Sequence, residues 1–476
     1  MRLRPLSLLL PVALAACSLA PEYSRPTTEV PAAYKEDGAW KPAAAELTDP
    51  GKWWQVFGDP LLDRLEGELA IDNQNLKAAE AQYRAALAAV GVARAGLFPT
   101  LGVTAAGSRS SGGTATGSGG TGTQTFGGGH SINNSYSLAA QASWEVDLWG
   151  RIRNGVDAAG ARAEASAGTL GAARLSAQAL LAQSYFQLRA ADAQVGLLTR
   201  TVAAYERFLE LTRVRQQAGV ASPLDAAQAE TQLNTARTQL ADAQLQRAQT
   251  EHAISVLVGR PPAALAIPSG AELPAVPGAP ALVPSATLES RYDIYAAERQ
   301  VAAANAQIGV ARAAWFPVLD LTANGGFRSS LLSNLISSPA RFWSLGPSLA
   351  LTLFDAGARS ATEAQAVAGY DQAVATYRQT VLTAFQEVED NLVAARLLGE
   401  ESASQLAALA AARRAREIAE NQYRAGTAAS LNVITAQASE LSVENTTISV
   451  WNRRMAAAVQ LYKNLGGRLE AAAVQK

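Results

Sequence analysis

The fold is decided by one stretch of the sequence, residues 150–217, which reads GRIRNGVDAAGARAEASAGTLGAARLSAQALLAQSYFQLRAADAQVGLLTRTVAAYERFLELTRVRQQ. It contains no proline, and residues 357–424 form a second run of the same kind. At a rise of ~1.5 Å per residue, about 65 residues of helix are roughly 100 Å long, whereas globular helices usually run about 8–20 residues. The sequence therefore predicts two long helical rods, in preference to the short amphipathic helices of one compact domain.

Both rods carry a seven-residue apolar repeat. Its members are Leu181, Leu188, Val195, Val202 and Leu209 in the first rod, and Val367, Val374, Val381 and Val388 in the second. An apolar stripe with this period stays against a partner helix only when the helices supercoil around each other. We therefore expect the rods to pack side by side in a coiled-coil bundle.

The rods belong to an internal duplication. The segment GVARAGLFP, residues 91–99, reappears as GVARAAWFP, residues 309–317. Three glycines of the first copy also have counterparts at one constant spacing, Gly150 with Gly357, Gly219 with Gly426 and Gly259 with Gly466. The mature chain is therefore predicted to comprise an extended N-terminal segment (17–60), a first repeat (61–259), a proline-rich linker (260–286), a second repeat (287–466) and a tail (467–476).

The apolar period changes from helical to two after Pro99 and again after Pro317. Each repeat is therefore predicted to contain one β-hairpin, within residues 100–148 and 318–354, with strands of about 10 residues, the length of a transmembrane β-strand. The Gly/Ser/Thr-rich residues 107–134 are expected to be a flexible loop. Aromatic residues cluster at the strand ends, as they do at the two water–lipid boundaries of membrane barrels, whereas a soluble sandwich would not place them there.

Four strands cannot close a barrel, and an open sheet edge inside a bilayer leaves backbone groups unpaired. The chain must therefore pool its strands with copies of itself. Two copies supply eight strands, whose interior holds only side chains, whereas three copies supply twelve strands and enclose a pore. This reasoning favours more than two copies without fixing the number.

The N-terminus, residues 1–16, has the pattern of a signal peptide. Arg2 and Arg4 precede an apolar segment that is too short to span a bilayer. The segment ends in LAAC, which resembles a bacterial lipobox. This resemblance implies cleavage before Cys17, an S-diacylglycerol on its thiol and an N-acyl chain on its new amino group, while Ser18 at the next position implies sorting to the outer membrane.

The composition argues against several functional classes. Lys and Arg number 40 against 41 Asp and Glu, so no basic excess points to nucleic acid. One cysteine allows no disulfide framework. The two histidines, His130 and His252, stand far apart in the sequence, and no nucleophile, base or metal-binding cluster is recognisable. We therefore expect no enzymatic activity, no metal, and no cofactor beyond the lipid on Cys17.

Several short motifs follow one another along nearly the whole mature chain. They are WWQVFGDPL (53–61), the two Phe-Pro turns, WEVDLWGR (144–151), YRAGT (423–427) and LYKNLGG (461–467). Together with the lipobox, their order and spacing resemble the TolC-type outer membrane factor family, in its lipidated branch of OprM-like and NodT-like efflux channels.

This resemblance implies an α+β membrane protein. It would be a homotrimer with a twelve-stranded transmembrane β-barrel, four strands per chain, continued by a long α-helical coiled-coil barrel in the periplasm. It also implies docking to a periplasmic membrane-fusion adaptor that is driven by an inner-membrane pump of the RND type.

The resemblance assigns roles to the turns at the rod ends. The adaptor-docking tips correspond to Gly219, Val220, Ala221, Ser222, Gly426 and Thr427. Independently of the family, the two glycines are expected to cap helices with a positive φ.

Asp225 and Tyr423 match positions that tether neighbouring helices and keep the entrance closed, through a hydrogen bond from the phenol to the carboxylate. The alternative for Asp225 is a first-turn charge on the helix that begins near Ser222. Ala428 departs from the best-known pattern, in which an arginine adds a second latch, so that part of the latch is missing here.

Charged residues mark two further places. Glu145, Asp147 and Asp320 are expected to face the lumen near the junction of barrel and tunnel, where symmetry would repeat them as acidic rings that favour cations. Solvated charges without a selective effect are the alternative. The basic run Arg413-Arg414-Ala415-Arg416 is expected to be a solvated face, with an adaptor contact as the alternative.

The sequence thus predicts a passive, gated exit duct. It would be lipid-anchored, span the outer membrane, extend into the periplasm and carry small toxic compounds or drugs from the pump and adaptor to the outside. Two alternatives remain open, namely a channel for secreted peptides or proteins with the same fold, and a lipid-anchored coiled-coil spacer without a pore.

Overall fold

A computed structural model describes residues 18–28, 35, 50–112, 131–270, 272–278 and 291–466. The first repeat contains α1 (Pro60–Asp72), α2 (Gln74–Ala95), β1 (Thr100–Gly112), β2 (Ser131–Val146), α3 (Arg151–Gln217) and α4 (Pro223–Leu257). The second contains α5 (Tyr292–Ala313), β3 (Val318–Ser329), β4 (Arg341–Ala350), α6 (Ala358–Arg424) and α7 (Ser430–Gly466). The predicted signal peptide, Cys17, His130 and the tail lie outside the described residues.

The contacts divide the chain into two compact units. The sheet unit comprises the described residues among 1–25, 84–164 and 299–375. The helical unit comprises the described residues among 26–83, 165–298 and 376–476.

The two predicted rods are confirmed as α3 and α6, each 67 residues long. Each begins directly after a glycine with positive φ, +77° at Gly150 and +91° at Gly357. Three heptad positions, Leu181, Leu188 and Val388, are fully buried, as the seven-residue repeat requires. Within the described part of the chain, no helix is both long and apolar enough to cross a membrane.

The strands form one antiparallel sheet in the order β1-β2-β3-β4. They lie within the two predicted hairpins but run to between 10 and 16 residues. The expectation of a flexible loop over residues 107–134 is wrong at both of its ends, because residues 107–112 pair with residues 131–136 of the neighbouring strand. The backbone ladder between β1 and β2 therefore continues into the Gly/Ser/Thr-rich tract.

The strand register places polar and apolar side chains on opposite faces of the sheet, because successive residues of a strand alternate between faces. The polar face carries Thr100, Thr104, Gln141, Ser143, Glu145, Asp320, Thr322, Asn324, Ser344 and Ser348. The apolar face carries Leu101, Val103, Leu138, Trp144, Leu319, Leu321, Trp343, Leu345 and Leu349. Apolar-face residues such as Val103 and Trp343 are more than two-thirds exposed in the single chain.

The core of the helical unit explains the WWQVFGDPL motif. Trp53 is 1% exposed and packs edge-on against Trp54 and Phe57. Phe57 in turn lies 4.8 Å from Phe186 of α3, centroid to centroid. Burying several aromatic side chains contributes strongly to stability, so the motif fixes the start of the first repeat to the long rod.

A buried polar network holds the proline-rich linker against the same rod. Asp192 of α3 is bonded by Arg189 at 3.0 Å, by Arg247 of α4 at 2.7 Å and by the backbone N–H of Gly270 at 3.0 Å. Arg189 also donates to the hydroxyl of Tyr185 at 3.0 Å. Because buried charges are tolerated when they are paired and hydrogen-bonded, this network fixes the linker without leaving its polar groups unsatisfied.

Candidate functional site: the helix tips and the polar sheet face

Two turns join the rods to the helices that follow them. Gly219 has a φ of +75° and Gly426 a φ of +79°. In the first turn the N–H of Val220 donates to the carbonyl of Arg215 at 2.8 Å, and Thr427 makes the equivalent bond at 2.9 Å in the second. These are Schellman caps, which glycine favours because it tolerates positive φ.

The predicted docking turns present apolar surface. Val220 is 73% exposed, and Ser222 and Thr427 are also exposed, while Ala221 is half-buried. Sequence reasoning did not single out Leu224 and Leu431, which are 64% and 55% exposed in the first turns of the following helices. The apolar surface of the tips therefore extends beyond the predicted turns to Leu224 and Leu431.

Asp225 caps the helix to which it belongs. Ser222 donates to its carboxylate through both its backbone N–H and its hydroxyl, each at 2.8 Å, and the hydroxyl accepts from the N–H of Asp225. The other carboxylate oxygen accepts a hydrogen bond from the hydroxyl of Ser430 at the start of α7. These bonds, that from Ser430 foremost, hold the pKa of Asp225 below its usual range.

The predicted hydrogen bond between Tyr423 and Asp225 is not present in this chain. The phenol hydroxyl of Tyr423 is buried and has no hydrogen-bond partner among the described residues. Its ring packs on Phe208 at 5.4 Å between centroids. Ser430 occupies the position on the carboxylate that the prediction gave to the phenol, because its hydroxyl begins the helix that lies directly beside Asp225.

Arg215 is a tip residue that sequence reasoning missed. Its guanidinium donates to the backbone carbonyls of Tyr423 at 2.9 Å and Arg424 at 3.1 Å, and it lies 4.4 Å from the centroid of the Tyr423 ring. The last carbonyls of a helix lack partners within the helix, so Arg215 of α3 caps the C-terminus of α6. Arginines near the end of their own helix are a known signal, but nothing in the sequence indicates that this one reaches the other rod.

The basic run on α6 is paired with acidic residues. Arg413 forms an ion pair with Glu444, and Arg416 forms ion pairs with Glu440 and Glu420. The pairs of Arg413 with Glu444 and of Arg416 with Glu440 link α6 to α7, whereas the pair with Glu420 stays within α6. Arg413 and Arg414 are exposed, so the run lies on a solvated face, as expected, and two of its arginines are also paired across to α7.

The three predicted lumen carboxylates lie at one end of the sheet. Glu145 of β2 stands opposite Asp320 of β3 in the register, so both belong to the polar face. Glu145 accepts two bonds from Arg151, at 2.7 and 2.6 Å. The side chain of Asp147 instead accepts from the N–H of Arg153 at 2.8 Å and so caps α3.

This geometry changes the prediction for the acidic ring. Asp147 serves chiefly as a helix cap, and the charge of Glu145 is countered by Arg151. The polar face near this end is therefore of mixed charge, and Asp320 is the predicted acidic residue that lacks a direct ion pair within the described residues.

The residue after the predicted lipid site is held against the sheet unit. The hydroxyl of Ser18 donates to Asn154 of α3 at 2.9 Å, and Asn305 of α5 donates to the carbonyl of Pro21 at 2.8 Å. Cys17 itself is not among the described residues. Its modification therefore stays a prediction, but the chain that follows it is fixed close to the start of α3.

No group of three or more His, Cys, Asp or Glu side chains with metal-binding geometry occurs in the part of the chain that the structure describes. The predicted site residues described above form turns, helix caps and ion pairs, and such contacts hold helices in position.

Together, the polar and apolar faces of the sheet, its free edges and the two long rods define the subunit of a membrane channel. A family model described as outer membrane efflux protein matches residues 66–260 and 283–467. These two segments follow the two repeats and omit most of the proline-rich linker. The chain therefore belongs to the outer membrane efflux protein family, which comprises outer-membrane channels and not enzymes.

Curated relatives are similar over almost their full length. The probable efflux pump outer membrane protein TtgC of Pseudomonas putida is 33% identical over 458 residues, covering 95% of this chain and 93% of that protein. The outer membrane protein OprJ of Pseudomonas aeruginosa is 33% identical over 476 residues, covering 97% and 95%.

Solved structures share the whole architecture. The outer-membrane channel OprN is similar with a TM-score of 0.86 at 30% identity, covering 95% of this chain and 99% of that one. The CmeC channel of Campylobacter jejuni is similar with a TM-score of 0.88 at 25% identity, covering 95% of both chains. The open state of the MtrE channel of Neisseria gonorrhoeae is similar with a TM-score of 0.80 at 28% identity, covering 95% and 98%.

Proposed function

We propose that this chain is the outer-membrane exit duct of a tripartite efflux system. Small toxic compounds or drugs would pass through it from an inner-membrane pump and a periplasmic adaptor to the outside. The observation that carries this proposal is a sheet with one polar and one apolar face whose outer strands, β1 and β4, each have one unpaired edge within the chain. Such a sheet suits lipid on one side and a water-filled lumen on the other.

The free edges call for partner strands, because unpaired backbone groups are very costly inside a bilayer. In the proposed homotrimer, β4 of one copy pairs with β1 of the next. Three copies give twelve strands, enough to enclose a pore. Pro347, which lacks a backbone donor, lies in β4 at the edge of the sheet, where proline is tolerated.

The duct acts passively in this proposal. The partner pump supplies the energy, and adaptor binding shifts the tips toward an open population. The exposed apolar tip formed by Val220, Leu224 and Leu431 is the proposed docking surface. We assign the pump to the proton-driven RND type.

The names of two relatives indicate which class of compound the duct would carry. Two relatives from Pseudomonas putida are named as outer membrane proteins of an antibiotic efflux pump and of a toluene efflux pump. By analogy, we propose that the cargo comprises apolar solvents and antibiotics of similar size.

An N-acyl chain and an S-diacylglycerol on Cys17 would anchor each subunit. Several acyl chains together anchor a protein stably, whereas one does not. The mass of the protein extracted from membranes is expected to include the lipid in the wild type and to lack it in Cys17→Ser.

The function is tested by deleting the gene in its own host. Loss of the gene is expected to raise the cellular accumulation of toluene or of a hydrophobic antibiotic. The wild-type gene should restore export, and Val220→Glu should restore it poorly, because it places a charge on the apolar docking surface. Gln217→Glu is the matched control, since it adds a charge at the same tip without removing an apolar side chain. Unchanged accumulation after deletion would contradict the proposed function.

The assembly is tested by native mass spectrometry of the protein in detergent. A trimer is expected. A stable dimer or monomer that retains its sheet would contradict the twelve-stranded arrangement.

A further inference from the structure

The residues that follow Cys17 lie along two helices of the sheet unit. This N-terminal arm, residues 18–25, belongs to the same compact unit as the start of α3 and most of α5. Residues 19–21 and 23 of the arm are half-buried, whereas residues 22, 24 and 25 are exposed. One side of the arm therefore rests on the helices.

Two buried asparagines hold the arm by its polar groups. Asn154 of α3 is 2% exposed, and its side-chain oxygen accepts a hydrogen bond from the hydroxyl of Ser18 at 2.9 Å. Asn305 of α5 is 7% exposed, and its side chain donates to the carbonyl of Pro21 at 2.8 Å. Because removing the partner of a buried polar group is costly, both asparagines favour the docked arm.

A glycine of α5 makes room for the arm beside these asparagines. A Cβ on Gly309 would lie 2.7 Å from the Cβ of Ala20 and 2.5 Å from the side-chain nitrogen of Asn154. Carbon atoms in contact are ordinarily about 3.5–4.0 Å apart. The arm thus lies in a slot formed by Asn154, Asn305 and Gly309, and any side chain at Gly309 would obstruct this slot.

The duplicated copy of α5 does not carry the same slot. At the spacing of the two GVAR segments, Asn305 corresponds to Leu87 of α2, and Gly309 corresponds to Gly91. Leu87 has no polar side-chain group to bind the arm. A Cβ on Gly91 would meet nothing within 4 Å. The glycine occurs in both copies, but only in α5 does it lie against another segment of the described chain.

We propose that the slot is a binding site for residues 18–21 of the chain's own N-terminal arm, and that it selects α3 and α5 over their duplicated counterparts. The rods differ in the same sense, because Asn154 of α3 corresponds to Ala361 of α6, which has no polar side-chain group. Gly309 is the residue that determines whether the arm fits. Ser18 directly follows Cys17, so the slot also sets the position of the lipid proposed above.

Docking restricts where that lipid can lie. Residues 18–49 separate Cys17 from the helical turn that begins at Pro50. A flexible chain of about 32 residues has a root-mean-square span of roughly 30 Å. With Ser18 bonded to Asn154, the attachment point is instead one residue, about 3.8 Å, from a fixed position in the first turn of α3. Binding of the arm itself requires neither the lipid nor the exit duct.

The test measures the mobility of the arm by electron paramagnetic resonance in the purified full-length protein. Ser24 is exposed on the arm, so Ser24→Cys can carry a nitroxide label. Cys17 is the one natural cysteine, and the lipid would block its thiol. The mass of each protein shows whether the lipid is present. If it is absent, the lipid proposal fails, and the slot is tested in the same way with Cys17→Ser added.

Three variants disrupt the slot, and two are matched controls. Gly309→Ala and Asn305→Leu change the helices, whereas Ala20→Leu changes the arm alone and so keeps the test decisive if a helix variant fails to fold. Gly91→Ala alters the duplicated glycine, which has open space around it. Glu22→Leu adds a leucine at an exposed position of the arm.

The immobile component is expected to dominate the spectrum of the labelled protein without further changes. Each slot variant is expected to raise the ratio of mobile to immobile label at least about twofold, the effect of losing one weak hydrogen bond. Both controls should leave this ratio unchanged. The proposal is overturned if the label is already mobile without these variants, if a slot variant with intact circular dichroism leaves the ratio unchanged, or if Gly91→Ala raises it as much as Gly309→Ala.

Discussion

Glu66 is a carboxyl group buried in the core of the helical unit. Its side chain is fully buried in α1, and neither carboxyl oxygen has a hydrogen-bond partner among the described residues. Burial, assisted by the nearby charge of Asp63, raises its pKa from 4.5 to about 9. At neutral pH the group is therefore protonated in the folded protein and ionised in the unfolded chain.

The sign of the resulting pH dependence follows from this difference. The folded state keeps a proton that the unfolded state releases above pH 4.5, so the stabilisation present below pH 4.5 is lost progressively up to about pH 9. The loss amounts to at most about 1.4 kcal/mol per pH unit. Glu66→Gln is expected to flatten the curve of unfolding free energy against pH over this range, whereas Glu80→Gln, at an exposed position of α2, should leave it unchanged. A wild-type curve without this slope would contradict the assignment.

Arg151 determines the charge of the polar sheet face near the start of α3. It forms two hydrogen bonds with Glu145, and Asp320 stands opposite Glu145 in the register. Arg151→Gln is expected to leave Glu145 without its cation beside the unpaired Asp320 and to shift the reversal potential of the reconstituted channel toward cation selectivity. Arg162→Gln, at an exposed position farther along α3, is the control. A reversal potential identical to that of the wild type would show that this face does not line the conducting path.

At the residue scale, the contacts that the sequence did not predict are those between side chains far apart in the chain. Asp225 was singled out from the sequence, but its bond to Ser430 spans two different repeats and leaves no local signal. The reach of Arg215 to the end of α6 is hidden for the same reason. Glu66 reads as an ordinary charge of a helix, because only the packed structure shows that it is buried.

At the scale of elements, two glycines with the same backbone conformation have different surroundings. Gly219 has a φ of +75° with open space around its Cα, whereas Gly259 has a φ of +74° and a Cβ there would lie 2.2 Å from the carbonyl oxygen of Asp72. Gly219→Ala is expected to cost about 1 kcal/mol from the backbone conformation alone. Gly259→Ala adds a steric clash and is expected to cost roughly 2–5 kcal/mol.

Thermal unfolding followed by circular dichroism measures this difference. Gly219→Ala should lower the melting temperature slightly and Gly259→Ala strongly. Equal shifts would show that the contact with Asp72 does not restrict the turn after α4.

The helices and strands themselves were largely predictable. Long periodic patterns are the strongest local signals, so the rods were predicted to within one residue at their starts, and the strands fell inside the predicted hairpins. The extension of the first hairpin into the Gly/Ser/Thr-rich tract was missed. Its strands are held there by pairing with each other, which the composition of residues 107–134 does not reveal.

At the scale of the whole molecule, the four-stranded sheet of a single chain does not close into a barrel. Its sheet ends in two free edges and exposes an apolar face. Copies of the same chain are the simplest partners, because each supplies one edge for the next. The sequence supplied this argument from strand number alone.

The most direct test of the exit duct is the conductance of the purified full-length protein in planar bilayers. The wild type is compared with the double variant Arg215→Gln/Ser430→Ala, in which the tips should open. We expect small conductance steps for the wild type and larger steps for the double variant, because the proposed pore would be narrowest at the tips and the double variant lacks the polar contacts that join α3 to α6 and α4 to α7 there. The absence of steps from both proteins, in preparations shown to be inserted in the bilayer, would contradict the claim that this chain forms a duct.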